Sequence, residues 1–158
     1  MPNYANKIIE GCGMIKMLMK LFVSKDKLFD MMTYRVQSIK GISKVIEKVE
    51  VACETHKLAL LHDYIYHEVV ESKGFPIKRK VYIYEVCQAQ VAALVLTDEP
   101  SFAPFMPCRI AVYEEAGQVT ISTQNMEMML DTLKGNTELY AQTNALFKIL
   151  KSLMHEIK

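Results

Sequence analysis

The stretch 108–124, CRIAVYEEAGQVTISTQ, constrains the fold more than any other part of the chain. Apolar and polar positions alternate on either side of Glu115, Ala116 and Gly117, the period-2 signature of two antiparallel strands joined by a tight turn. Cys108, Ile110 and Val112 then share a face with Val119 and Ile121, and that face belongs in the core. Arg109, Ala111 and Tyr113 lie on the opposite face beside Thr120, Ser122 and Gln124, so one side of the hairpin is polar and meets either water or a partner. Prolines at 100, 104 and 107 precede the hairpin and predict irregular structure up to Cys108.

Three more strands and several helices accompany the hairpin. TYRVQS (33–38), KLALLHDYIYH (57–67) and RKVYIYEVC (79–87) have the alternation and β-branched or aromatic content of strands. In the last of these Val81, Ile83 and Cys87 face one way, and Tyr82, Tyr84 and Val86 the other. Ile42, Val45, Ile46, Val49 and Cys53 recur at three and four, which predicts a helix over about 42–54. QAQVAALVL predicts a helix ending near Thr97. Met126, Met129, Leu130 and Leu133 form a short helical stripe; after Gly135 and Asn136, Leu139, Leu146, Ile149, Leu150, Leu153 and Ile157 form a longer one that should cross the sheet.

At 158 residues the chain suits one domain that buries about 70% of its unfolded surface. With 51% hydrophobic and 23% charged residues, it has the composition of a folded globular protein. Nineteen Lys and Arg balance eighteen Asp and Glu, so no global basic field draws the chain to nucleic acid. Cys12, Cys53, Cys87 and Cys108 form no C-x-x-C motif and are expected as reduced thiols of a cytoplasmic protein.

The most apolar window, IIEGCGMIKMLMKLFV (8–23), carries Glu10, Lys16 and Lys20 and is too short to span a bilayer. Were residues 14–29 helical, Lys16, Lys20, Ser24 and Lys27 would make one polar stripe on an otherwise apolar surface. That surface needs a cover: its own domain, a partner subunit or a membrane surface contacted through 8–23. Membrane association is therefore left open. Residues 1–32 read as an N-terminal apolar helical extension, and 33–158 as a single α+β domain.

Three strings, YIYEVCQAQVAALVL, PFMPCRIAVYEEAGQVTIST and MLDTLKGNTELYAQTNALFKIL, resemble the family of domain of unknown function 302 over residues 33–158. The run Pro107, Cys108, Arg109 is the most specific part of that resemblance. The resemblance implies an α+β fold, two-layer, with a mostly antiparallel sheet packed against helices. It also implies a homodimer, and it brings no reaction with it. After Cys87 this chain has Gln88 and Ala89 where the family often has Asn and Pro, and it has His62 and Tyr64 around Asp63 where the family often runs acidic.

Three chemistries remain to weigh. Arg109 with Tyr113, Thr120 and Ser122 could bind a small anionic ligand, because a guanidinium offers two parallel donors to a carboxylate or phosphate. Cys108, with Cys87, could serve a thiol-dependent redox or sulfur-transfer protein, although strand alternation aims Arg109 away from the sulfur. His56, His62 and His67 fall within twelve residues and raise metal or haem binding, without the tight spacing of a structural zinc site. No Gly-rich phosphate loop, H-E-x-x-H or G-x-S-x-G motif is present, so the sequence names no catalytic constellation and leans away from an enzyme. The expected function is a homodimeric module that binds a small ligand or a partner.

Overall fold

The computed structural model describes residues 24–158. Two compact units divide the chain, Met1–Met32 and Thr33–Lys158. Of the first, helix α1 (Lys25–Met32) is described, and the Ser24 hydroxyl accepts the Lys27 N–H at 3.3 Å at its start. Ser24 is thus a cap, and the helix read over 14–29 does not run through it. The expectations placed on 8–23 lie outside the described residues.

The second unit is a five-stranded antiparallel sheet with helices on one face. Its strands are β1 (Thr33–Ser38), β2 (Ala59–Ile65), β3 (Val81–Cys87), β4 (Cys108–Glu115) and β5 (Gln118–Gln124), in the spatial order β1-β5-β4-β3-β2. The β4–β5 hairpin pairs Val112 with Ile121 and Glu115 with Gln118, so Ala116 and Gly117 alone make the turn, with φ of 50° and 79°. Two consecutive positive φ values give the type I′ geometry that matches strand twist. The turn is one residue tighter than the sequence suggests.

The helices are α2 (Ile42–Ile46), α3 (Val49–Thr55), α4 (Tyr66–Glu71), α5 (Ala89–Asp98), α6 (Glu127–Thr132) and α7 (Thr137–Ile157), with a 3-10 helix over Pro100–Phe105. The stripe expected over 42–54 is split between α2 and α3. Pro100 begins the 3-10 helix and Pro104 sits inside it, so the proline-rich run is ordered rather than irregular.

Helix α7 spans about 30 Å and starts at Asn136, whose side chain accepts the Leu139 N–H at 3.1 Å. Its buried stripe, Leu146, Leu150, Leu153, Met154 and Ile157, joins Val45, Val49 and Cys53 of α2 and α3 in one core. That core also takes Val36, Tyr84, Val86, Ile110, Val112 and Ile121 from the sheet. At the far end of α7, Tyr34 Oη lies 2.8 Å from His155 Nε2, and His56 Nε2 lies 2.9 Å from Glu156 Oε2.

Strand β2 departs most from its sequence pattern. A bulge between Leu60 and His62 leaves Leu60 opposite Val86 but sets His62 opposite Glu85 and Tyr64 opposite Ile83. Leu60 therefore shares the core-side face with Asp63 and Ile65, while His62 and Tyr64 turn to the other face. The chain then enters α4 at Tyr66, where an uninterrupted strand to His67 was expected.

Candidate functional site

Cys108 opens β4 directly after the cis Met106–Pro107 peptide and stands opposite Val86 of β3. Alternation puts its sulfur on the helix-covered side, as the hairpin pattern predicts. Around it α5, the 3-10 helix, α6 and α7 leave a gap. The gap is an apolar cleft of about 50 Å³ lined by Val86, Cys87, Val91, Val95, Phe102, Phe105, Cys108, Met126, Met129, Leu130, Leu133 and Leu146.

Each wall has a local reason. Val91 and Val95 are one turn apart on α5 and point at the sheet. The 3-10 helix delivers Phe102 and Phe105 together, with ring centroids 6.2 Å apart. Met129 and Leu130 of α6, with Met126 and Leu133 as its two caps, form the inner stripe. The hydroxyl of Thr143, also at the wall, donates to Leu139 O at 2.6 Å, which leaves Gln88 as the polar side chain of the lining. Phe102, Phe105, Met129 and Leu133 continue outward into a groove of about 480 Å³ whose rim carries Glu99, Ser101 and Thr132. The two spaces together reach the size of a small-molecule site.

Electrostatics fix the state of the thiol. Burial pushes the Cys108 pKa up to about 11, with the neighbouring Cys87 adding to the rise. At neutral pH the group is a neutral S–H and behaves as a small hydrophobe. Cys53 is also raised, first by burial and then by the Glu50 charge.

Arg109 takes the opposite face, as the sequence predicts. Its Nε donates to Glu85 Oε1 at 3.3 Å across the β3–β4 pair, with the guanidinium side more than half exposed. Tyr113, Thr120 and Ser122 lie on that same face, and Tyr113 is directly opposite Thr120. Thr120 is 2% exposed and its hydroxyl has no hydrogen-bond partner among the described residues. The four residues are thus brought to one face, but the cation already holds a carboxylate.

The three histidines are scattered. His56 follows α3 as its cap and meets Glu156 of α7; His62 packs edge-on against Tyr64 with centroids 4.3 Å apart; His67 is on α4. The strand on which His56 and His62 would share a face does not extend back to His56, and the bulge reorients His62. Among the described residues no group of three or more His, Cys, Asp or Glu could hold a metal ion.

The aromatic and methionine walls of the cleft were missed as site residues, although their stripes were legible. Their convergence is tertiary, since Val91, Phe105 and Met129 come from three separate elements. The Phe102 and Phe105 pair between prolines is the one local signal.

The family model for the domain of unknown function DUF302 matches residues 32–157. Among solved structures the chain is similar to an uncharacterised conserved DUF302 protein from Bacillus stearothermophilus. That similarity has a TM-score of 0.71 and 25% sequence identity, and it covers 81% of this chain and 99% of the other. No curated protein matches the chain.

Proposed function

The chain belongs to the DUF302 family, and we propose that it is a binding module that holds the apolar part of a small ligand in the cleft beside Cys108. The carrying observation is the convergence of Val91, Val95, Phe105, Met126 and Met129 on a space whose lining is apolar apart from Gln88 and Thr143, and which shares Phe102, Phe105, Met129 and Leu133 with an outer groove. Burying a chain of methylenes there gains roughly 0.8 kcal/mol for each. Met126 and Met129 are unbranched and can change rotamer to widen the narrow inner cleft. Glu99 at the rim favours a neutral or cationic head group over an anion.

Two sequence expectations fare less well as functions. An anion at Arg109, Tyr113, Thr120 and Ser122 would bind beside the Glu85 carboxylate, which already offsets the Arg109 charge. A thiol mechanism at Cys108 would start from a protonated, enclosed sulfur. Neither has the support that the cleft has.

A homodimer is proposed through the face that the helices of this unit leave bare, where Ile83, Ala111 and Tyr113 lie side by side on adjacent strands. Light scattering after size exclusion checks it, with a monomer at micromolar concentration counting against it. The cleft is tested with the uncharged fluorescent probe 1-anilinonaphthalene and with octanol as a competitor. Met129→Trp should fill the cleft mouth and lower probe affinity at least tenfold while the far-ultraviolet circular dichroism stays unchanged. Octanol should displace the probe from the native protein. Probe binding that is absent, or indifferent to Met129→Trp, would remove the reading.

A further inference from the structure

The connection from α4 to β3, residues 72–80, has the sequence SKGFPIKRK. Lys73, Lys78, Arg79 and Lys80 place four cations within eight positions that contain no carboxylate. The whole chain has a formal charge of only +1, so this density is local. None of the four takes part in an ion pair among the described residues, unlike Lys44, His56, Arg109 and Lys134. The nearest carboxylates in sequence, Glu68 and Glu71, belong to the preceding helix.

Between the cations sit Phe75, Pro76 and Ile77. Phe75 is 75% exposed and Ile77 is 47% exposed. An exposed phenyl ring at the end of a floppy loop would mean little, but this backbone is fixed. Phe75 N–H donates to Val70 O at 3.1 Å and Gly74 N–H to Glu71 O at 2.8 Å, with Gly74 at φ 87°. This is the six-to-one closure of a Schellman cap, in which the residue after the glycine normally folds its apolar side chain back onto the helix. Here that side chain stays in water.

The other end of the connection is fixed as well. His67 Nδ1 lies 3.1 Å from Val81 O and 3.2 Å from Val81 N, so the ring can bond the first residue of β3 in either tautomer. The result is an ordered protrusion with an apolar tip and a basic collar. It begins β3, whereas the cleft at Cys87 ends β3, roughly 20 Å along the strand.

We propose that this protrusion docks on an anionic phospholipid surface, with Phe75 and Ile77 entering the boundary between head groups and acyl chains. Lys73, Lys78, Arg79 and Lys80 would meet the lipid phosphates. The chemistry divides the task in two. An apolar tip gains only where hydrocarbon is available, and extended Lys and Arg side chains keep their charges at the phosphate level while their stems follow the tip inward. A polynucleotide would match the cations but would leave Ile77 and Pro76 without a partner.

The chain has no tryptophan, so Phe75→Trp in the full-length protein gives a single reporter at the tip. Vesicles of phosphatidylcholine with 30% phosphatidylglycerol, compared with phosphatidylcholine alone, are the probes. The expected result is a blue shift of the introduced indole and co-sedimentation with the anionic vesicles only. Combining Lys78→Gln, Arg79→Gln and Lys80→Gln should lower vesicle affinity by up to about a hundredfold, and raising the salt should weaken it too.

Anionic-vesicle binding with no shift of the indole, or with equal affinity in the triple variant, would place the contact elsewhere on the chain and overturn the proposal. No binding to vesicles, or triple-variant-sensitive binding to an oligonucleotide without binding to vesicles, would overturn it too.

Discussion

The thiol at Cys108 offers the sharpest check on the site, because its environment sets a rate. Its pKa rises from 9.0 to about 11. Near pH 8 this cuts the thiolate fraction about a hundredfold relative to an unperturbed cysteine, and only the thiolate attacks an alkylating reagent. Iodoacetamide followed by peptide mapping of the folded protein should show Cys108 modified at least a hundredfold more slowly than an unstructured cysteine peptide. The rate should rise tenfold per pH unit until about pH 11.

The same shift predicts a stability change. A folded-state pKa above the unfolded value means that the stabilisation is present below pH 9 and is lost as pH rises towards 11. The full loss attributable to this thiol is about 3 kcal/mol, from two pKa units at roughly 1.4 kcal/mol each, of which about 2 kcal/mol falls between pH 9 and 11. The difference in urea stability between the native protein and Cys108→Ala should therefore shrink by that amount across the window. Rapid stoichiometric alkylation of Cys108 at pH 7.5, or a difference independent of pH, would refute the reasoning and return the thiol to consideration as a reactive group.

Other substitutions test single features. Thr120→Val should stabilise the fold by about 1 kcal/mol in urea melts, since it replaces a buried, unpartnered hydroxyl with a methyl of the same shape. Ala116→Asn should add roughly 0.5–1 kcal/mol by thermal melt, because Asn tolerates the left-handed backbone that Ala116 holds at φ 50°. Leu150→Ala, at a residue with no exposure, should cost about 2–5 kcal/mol in the same assay. Arg109→Gln should leave occupancy of the Cys108 cleft unchanged, as measured with the anilinonaphthalene probe, because its guanidinium serves Glu85 on the opposite face.

What the sequence made legible follows the range of the interactions involved. The hairpin, β1, β3, α5 and the stripe of α7 rest on local periodicity, and each lies where the pattern puts it. Their faces are correct too, down to Cys108 inward and Arg109 outward. The failures come where tertiary geometry overrides a continuous pattern. HDYIYH alternates well enough to read as strand through His67, but the bulge at Leu61 and the contact of His67 with Val81 end β2 at Ile65. The spacing of Ile46 and Val49 hides the break between α2 and α3. The cleft was invisible for a related reason: its walls are drawn from positions as far apart as Val86 and Leu146, and no local signal tells a stripe that fills the core from one that stops short of closing.

The string that begins at Pro107 shows how one short run can serve two surfaces. Residue by residue β4 alternates between the helix-covered side and the opposite side, so Cys108 is committed to the apolar cleft by the same register that commits Arg109 to Glu85. A charge next to a thiol in sequence is therefore the weakest reason to suppose that it activates the thiol, since on a strand adjacent side chains lie on opposite faces. Activation would need a cation from another element on the helix-covered side. The residues that line the cleft include no Lys, Arg or His, and where Arg109 does share a small adjoining space of about 20 Å³ with Cys108, its Nε is held by Glu85. That lining makes Cys108 part of a wall, and it makes the chemistry of the site a matter of what fits beside it.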